Sequence, residues 1–294
     1  MLRKLIFALL TFACGSLTFA FPFPFFEPPE LRILEKAYPD IVFEKEFDKE
    51  KNDWKILLKV PGIKENKILY WSEGRMLPET ELKNTEKYWS ILYTYPKKLL
   101  DPDDMTEEQK EKLKNFSSRG NRRNGAGTPM FFFDAVYDSS SRAKLEPHIR
   151  RTTFLGKPIN VHEKIVEPLS HVEQKIKVSA AADAEVKEFT DGIKSADGYL
   201  WRIIDGTNRK SFHSLGIAVD ILPKRLGGKE IFWSWARDKN PKGWMLTPLS
   251  KRWMPPQSVI EIFESEGFVW GGKWGIWDNM HFEYHPELIL FNGL

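Results

Sequence analysis

Two short stretches in the C-terminal half of the chain decide the fold. Residues 211–221 read SFHSLGIAVDI, and residues 277–284 read WDNMHFEY. Apolar and polar side chains alternate in parts of both stretches, which predicts strands that have one face in a core. Together the two stretches supply two imidazoles and two carboxylates, so the same strands predict a chemical site.

In the first stretch, Asp220 lies on the strand face opposite Val219 and Ile221. A carboxylate that is half buried in this way costs free energy unless it is paired or bound to a metal. Gly216 permits a bend between His213 and the strand. That bend would bring the imidazole of His213 and the carboxylate of Asp220 to one point.

In the second stretch, His281 would be a third ligand, and Glu283 shares its strand face. Two histidines, one carboxylate and an open position are typical of a catalytic zinc site, where the pKa of water falls to about 7. Asp278 would then accept the proton of that water, and the expected reaction is amide hydrolysis. Spacing alone does not separate such a site from a chance grouping.

The remaining histidines carry no such pattern. We interpret them as ordinary surface or core residues: His148, His162, His171 and His285.

A longer motif joins the two stretches. Its residues are Arg202, Ser211, His213, Gly216, Ala218 and Asp220, followed by Asp278, His281 and Glu283. This pattern resembles the VanY-type zinc D-Ala-D-Ala carboxypeptidases, which group with the L-alanyl-D-glutamate peptidases and share a fold with the hedgehog signalling domain. The resemblance covers roughly residues 160–294.

The resemblance implies a role for each matching residue. His213, Asp220 and His281 would hold Zn²⁺, and Asp278 would be the general base. Arg202 would stabilise the tetrahedral intermediate, since a guanidinium suits a developing oxyanion. Ser211 would orient the site or bind the substrate, which would be a peptidoglycan stem peptide.

The sequence predicts an α+β fold for the C-terminal half. Residues 201–204, 218–222, 268–270 and 280–284 are predicted strands, and residues 256–266 form an amphipathic helix. Helices followed by strands favour an antiparallel sheet with helices on one face, as in the hedgehog and D-Ala-D-Ala peptidase fold. The N-terminal extension has mixed α/β character, with strands predicted at 54–60 and 130–137 among others.

Composition and the N-terminus suggest an exported protein. The chain has 294 residues and a net charge of +3, with no basic stripe that would indicate nucleic-acid binding. Residues 1–20 resemble a signal peptide, with Arg3 and Lys4 before a short apolar core. Cleavage would leave no stable membrane span, although an uncleaved anchor is the alternative. We expect a bacterial periplasmic or cell-envelope location.

These observations give a domain plan and a function. The plan is a signal peptide at 1–20, an N-terminal region of unknown role at 21–135 and a zinc peptidase domain at 136–294. D-Ala-D-Ala carboxypeptidase is the preferred activity. The alternatives are an L-Ala-D-Glu endopeptidase, a non-catalytic module that binds the cell wall or a partner on the same fold, and a structural protein without metal.

Overall fold

The computed structural model describes residues 26–294. The predicted signal peptide lies outside the described residues, so its cleavage stays a prediction. Among the described helices, none combines the length and the apolar character needed to cross a membrane.

The described chain contains helices and antiparallel strands, which confirms the predicted α+β class. The helices are α1 (Pro29–Ala37), α2 (Glu107–Phe116), α3 (Arg119–Asn124), α4 (Phe131–Val136), α5 (Arg142–Leu145), α6 (Glu163–Ala182), α7 (Ala184–Asp191), α8 (Trp233–Lys239), α9 (Gln257–Ser265) and α10 (Pro286–Asn292). The strands are β1 (Val42–Asp48), β2 (Asp53–Lys59), β3 (Lys67–Tyr70), β4 (Ile149–Phe154), β5 (Lys157–His162), β6 (Ile193–Asp197), β7 (Ala218–Pro223), β8 (Phe268–Trp270) and β9 (His281–Tyr284).

A four-stranded antiparallel sheet with the order β6-β7-β9-β8 carries the candidate site. Val219 lies opposite Phe282 in this sheet, and both side chains are buried. The ring of Phe282 stacks on Phe263 of α9 with a centroid separation of 3.8 Å. One face of the sheet is therefore closed by a helix, which leaves Asp220 and His281 on the other face.

The N-terminal region shares its core with the C-terminal part. Strands β1, β2 and β3 form a separate antiparallel sheet, and α1 packs against α10 at the other end of the chain. Leu31 and Leu34 of α1 are fully buried in the same hydrophobic cluster as Val219 and Phe282. The described residues 26–135 are thus joined to the site-bearing sheet by apolar packing.

The strands predicted at residues 130–137 and 201–204 are wrong. Residues 130–137 contain the helix α4, although Phe and Val favour strands. Phe132, Phe133 and Val136 are buried together on one side of this helix, so tertiary packing overrides the local preference. Residues 201–204 form no strand either, and only an isolated bridge pairs Ile203 with Lys210.

Gly216 is held in a left-handed conformation with φ of +71° at the end of the short 3₁₀ turn Phe212–Leu215. A Cβ added there would lie 2.8 Å from the backbone nitrogen of His162 and 2.7 Å from Ile149. The turn that carries His213 therefore requires glycine on both conformational and steric grounds.

We expect Gly216→Ala to lower the free energy of unfolding by about 2 kcal/mol or more, since left-handed strain and overpacking add together. Gly62→Ala is the matched control, because Gly62 has a similar φ of +80° but nothing within 4 Å of an added Cβ. The control should lose only about 1 kcal/mol. Equal losses in urea unfolding would contradict this account.

Candidate metal centre and active site

His213 is positioned by a capped turn. Ser211 caps the 3₁₀ turn Phe212–Leu215, and its Oγ accepts a hydrogen bond from the backbone nitrogen of His213 at 3.3 Å. The Nδ1 atom of His213 lies 2.6 Å from the carbonyl oxygen of Gly198. A carbonyl can only accept, so Nδ1 carries the proton and Nε2 keeps its lone pair for a ligand.

Asp220 and His281 are brought together by strand pairing, since they lie directly opposite each other in β7 and β9. The distance from His281 Nδ1 to Asp220 Oδ1 is 2.7 Å, and the distance from His213 Nε2 to Asp220 Oδ2 is 3.1 Å. The two imidazole nitrogens lie 3.2 Å apart. Three potential ligand atoms from three segments therefore face a single point.

These atoms fit a metal ion. A tetrahedral zinc ion with ligands at about 2.0–2.1 Å has ligand atoms about 3.3 Å apart, close to two of the three distances observed. Among the described residues, one group of histidine and acidic side chains lies close enough together to hold a metal ion, and it consists of His213, Asp220 and His281. Burial raises the pKa of Asp220, but the adjacent imidazoles of His213 and His281 bring it well below its ordinary value. The carboxylate is thus available as a ligand.

Glu283 fixes the orientation of His281. The Nε2 atom of His281 lies 2.8 Å from Glu283 Oε1, and both residues are buried. Burial raises the pKa of Glu283, but its bonds to His281 and His285 lower it to about 2. Burial lowers the pKa of His281, but Asp220 and Glu283 raise it well above its ordinary value. An ionised Glu283 keeps the Nε2 proton, so Nδ1 is the nitrogen that would give up its proton to ligate a metal ion. Glu283, which shares the strand face of His281, thus hydrogen-bonds a potential ligand.

Asp278 is buried near this group without a hydrogen-bond partner for its Oδ1 atom among the described residues. Its backbone is held from two sides: its nitrogen donates to Gly271 at 3.0 Å, and it bridges to Phe232. Burial, followed by the negative charge of Asp220, raises the pKa of Asp278 to about 8. A buried carboxyl group with one unpartnered oxygen and a raised pKa is typical of functional sites.

A cleft of about 550 Å³ opens onto two members of this group, His213 and Asp220. His213, Asp220 and Arg202 lie in its wall, together with Arg151 of β4 and Asn160 of β5. Arg202 is exposed, and its backbone nitrogen donates to Ser214 in the turn of His213 at 2.8 Å. The structure therefore brings Arg202 to the same cleft as two of the potential ligands.

Ser211 is almost fully buried, and its hydroxyl faces the backbone of His213. In this position it orients the histidine. Its predicted contact with a substrate stays a prediction.

The sequence analysis did not predict the hydrogen bonds that orient the potential ligands. His285, interpreted above as an ordinary histidine, bonds through Nε2 to Glu283 at 3.1 Å and through Nδ1 to Glu287 at 2.7 Å. The signal was the alternation of His281, Glu283, His285 and Glu287 at every second position. The contact from Gly198 to His213 had no sequence signal, because a backbone carbonyl is present at every residue.

Comparison with known proteins gives two matches. Residues 205–284 match a family model described as D-alanyl-D-alanine carboxypeptidase, which is 80 of the 294 residues. Residues 30–94 match a model described as a domain of unknown function. No curated protein and no solved structure matches the chain. The stretch that contains His213, Asp220, Asp278 and His281 is thus similar to a peptidase family, and Arg202 lies just before it.

Asp278→Asn should stabilise the metal-free protein at pH 8. An aspartate in an unfolded chain has a pKa of about 3.9, and a folded-state pKa of about 8 means that folding becomes less favourable as the pH rises between these values. We expect the variant to gain about 1–3 kcal/mol over wild type at pH 8 and nothing near pH 4. Urea unfolding in excess chelator at both pH values measures this difference. Asp197→Asn, at an exposed position of the cleft that Asp220 lines, should show no such gain, and an equal gain there would contradict the prediction.

Proposed function

We propose that this protein is an exported zinc metallopeptidase that hydrolyses amide bonds in peptidoglycan stem peptides. The observation that carries the proposal is the convergence of His213, Asp220 and His281 near Asp278, whose buried Oδ1 atom has no hydrogen-bond partner among the described residues. The match of this stretch to a D-alanyl-D-alanine carboxypeptidase family supports the substrate class. The signal-like residues 1–20 support export.

His213, Asp220 and His281 would hold the ion, His213 through Nε2 and His281 through Nδ1. The chemistry that a bound zinc ion supplies is Lewis acidity, which acidifies water and polarises a carbonyl group. Gly198 and Glu283 keep the two imidazoles in the tautomers that this role needs. These two outer contacts thereby determine which nitrogen of each ring is available.

Asp278 is the proposed general base. It takes one proton from the attacking water, whose oxygen forms a bond to the carbonyl carbon of the substrate. It then gives that proton to the amine nitrogen as the carbon–nitrogen bond breaks. Burial raises the pKa of Asp278, and a base whose pKa lies near the working pH both accepts and returns a proton efficiently.

Arg202 is the proposed stabiliser of the oxyanion, since it lines the same cleft as His213 and Asp220 and a guanidinium group suits a developing negative charge. Arg151 also lines this cleft. Two positive side chains suit a substrate that ends in a carboxylate. This feature favours D-Ala-D-Ala carboxypeptidase activity, in which the scissile bond is next to the terminal carboxylate.

Asp278→Asn should reduce kcat/KM at least 100-fold while the protein keeps one equivalent of zinc, because the variant retains the ligands and loses only the proton acceptor. His281→Ala should lose the metal as well as the activity. His171→Ala is a matched control, since His171 is exposed and bonded to Glu266 away from the sheet. Elemental analysis and turnover measured on the same samples distinguish these cases. An active, zinc-loaded Asp278→Asn protein would show that another residue is the base.

Digestion of purified muropeptides by the zinc-loaded protein identifies the scissile bond. Mass analysis should show the loss of one terminal alanine. Release of the stem peptide after L-Ala would instead identify an L-Ala-D-Glu endopeptidase. Stoichiometric zinc without turnover of any muropeptide would indicate a binding module, and purified protein without metal would refute the zinc proposal.

A further inference from the structure

A chain of buried hydrogen bonds leads from His281 away from the cleft to the N-terminal region. His281 bonds to Glu283 at 2.8 Å, and Glu283 bonds to His285 at 3.1 Å. His285 bonds to Glu287 at 2.7 Å, and Glu287 accepts a hydrogen bond from the hydroxyl of Tyr38 at 2.7 Å. Tyr38 lies 249 positions before Glu287 in the sequence. The last residue of this hydrogen-bond chain, Tyr38, thus lies near the other end of the described residues from His281.

Every carboxylate oxygen in this hydrogen-bond chain has a partner. Glu283 uses one oxygen for His281 and the other for His285, while Glu287 uses one for His285 and the other for Tyr38. Both nitrogens of His285 face carboxylates, so both carry protons and the ring is an imidazolium. Burial lowers the pKa of His285, but Glu287 and Glu283 raise it to about 9. The imidazolium of His285 thus lies between the carboxylates of Glu283 and Glu287, and hydrogen bonds on both sides fix the orientation of each group.

The members of the chain are also fixed by packing. Glu287 is fully buried, and His285 is nearly so. Phe133 and Phe212 contact the ring of His285 edge-on, with centroid separations of 5.3 Å and 4.6 Å. Phe212 is the residue before His213. The ring of His285, which supports His281 through Glu283, therefore also packs beside the turn that carries His213.

Tyr38 is held rigidly at the end of α1. It caps the helix, its backbone nitrogen donates to Leu34, and its ring packs edge-on against Phe132 at 5.4 Å. Its side chain is almost fully buried. Without the Tyr38 hydroxyl, one oxygen of a fully buried carboxylate would lose its partner, which is costly in an environment of low polarity. The remaining bonds would then shift to compensate.

We propose that Tyr38 is a positioning residue for the metal ligand His281, acting through Glu287, His285 and Glu283. The N-terminal region, which matches only a domain of unknown function over residues 30–94, is on this view a structural part of the metal centre. The inference rests on the proposed function in one respect, because it takes His281 as a metal ligand.

A second tyrosine of the N-terminal region provides a matched control. The hydroxyl of Tyr95 donates to the buried carboxylate of Glu264 at 2.6 Å and accepts from the backbone nitrogen of Trp270 at 2.9 Å. Glu264 also pairs with buried Lys273. Tyr95 therefore makes the same kind of contact between the two parts of the chain, but no hydrogen bond connects it to Glu283 or His285 among the described residues.

The test compares Tyr38→Phe with Tyr95→Phe in the full exported chain. Both variants should lower the unfolding midpoint in excess chelator, since each loses a buried hydroxyl bonded to a carboxylate. Only Tyr38→Phe should weaken zinc binding, by about five- to tenfold in a chelator competition. Loss of a residue bonded directly to a metal ligand lowers metal affinity by roughly 10–100-fold. We expect a smaller effect for Tyr38, because three residues separate it from His281. The visible spectrum of the cobalt-substituted protein should change for Tyr38→Phe alone.

Glu287→Gln is the second variant, which keeps the size of the side chain and removes the charge opposite His285. It should weaken zinc binding at least as much as Tyr38→Phe does, and it tests the inference if Tyr38→Phe does not fold. Zinc affinity within twofold of wild type for both variants would overturn the positioning role while leaving the zinc peptidase intact. Equal weakening by Tyr95→Phe would also overturn it. A wild-type protein that binds no zinc would overturn the proposed function itself.

Discussion

The register between β7 and β9 is the constraint on which the rest of the site depends. It places Asp220 directly opposite His281, and Val219 directly opposite Phe282. Because successive side chains of a strand point to opposite faces, one register serves both purposes: it directs Phe282 into the core against Phe263 and leaves Asp220 and His281 on the cleft face. A shift by one residue would bury an imidazole against α9 and expose an aromatic ring to the cleft. The apolar core therefore enforces the geometry of the polar site.

The second feature of the site is that its carboxyl groups lie in different environments, which shift their pKa values in opposite directions. Asp220 and Glu283 are bonded to imidazoles, and these contacts lower their pKa values against the effect of burial. Asp278 is also buried, but its Oδ1 atom has no partner among the described residues, and its pKa is raised. Carboxyl groups whose surroundings push their pKa values apart are suited to different roles. Here two would remain permanent anions that hold or orient ligands, while the third could exchange a proton.

The N-terminal region contributes through two tyrosines and through the apolar face of α1. No motif in residues 21–135 indicated this role. The residues that carry it are tyrosines and leucines, which occur in every globular protein. In the structure, Tyr38 and Tyr95 both donate to buried carboxylates of the C-terminal part, Glu287 and Glu264. Buried ionised groups are tolerated when their hydrogen bonds are complete. The two tyrosines complete them, and they add polar contacts to the apolar core that the two parts of the chain share.

The sequence by itself determined the α+β class, the sheet strands at 218–222, 268–270 and 280–284, the helix at 256–266 and the identity of the residues that converge at the site. It did so because strand alternation and helix periodicity are local properties, and because the longer motif around the site residues resembles a known peptidase family. Only the tertiary structure decided that residues 130–137 form a helix, that Gly198 orients His213, and that a hydrogen-bond chain runs from His281 through His285 to Tyr38. These features depend on contacts between segments far apart in the chain, and a backbone carbonyl or a lone tyrosine carries no local pattern that indicates which distant group it will meet.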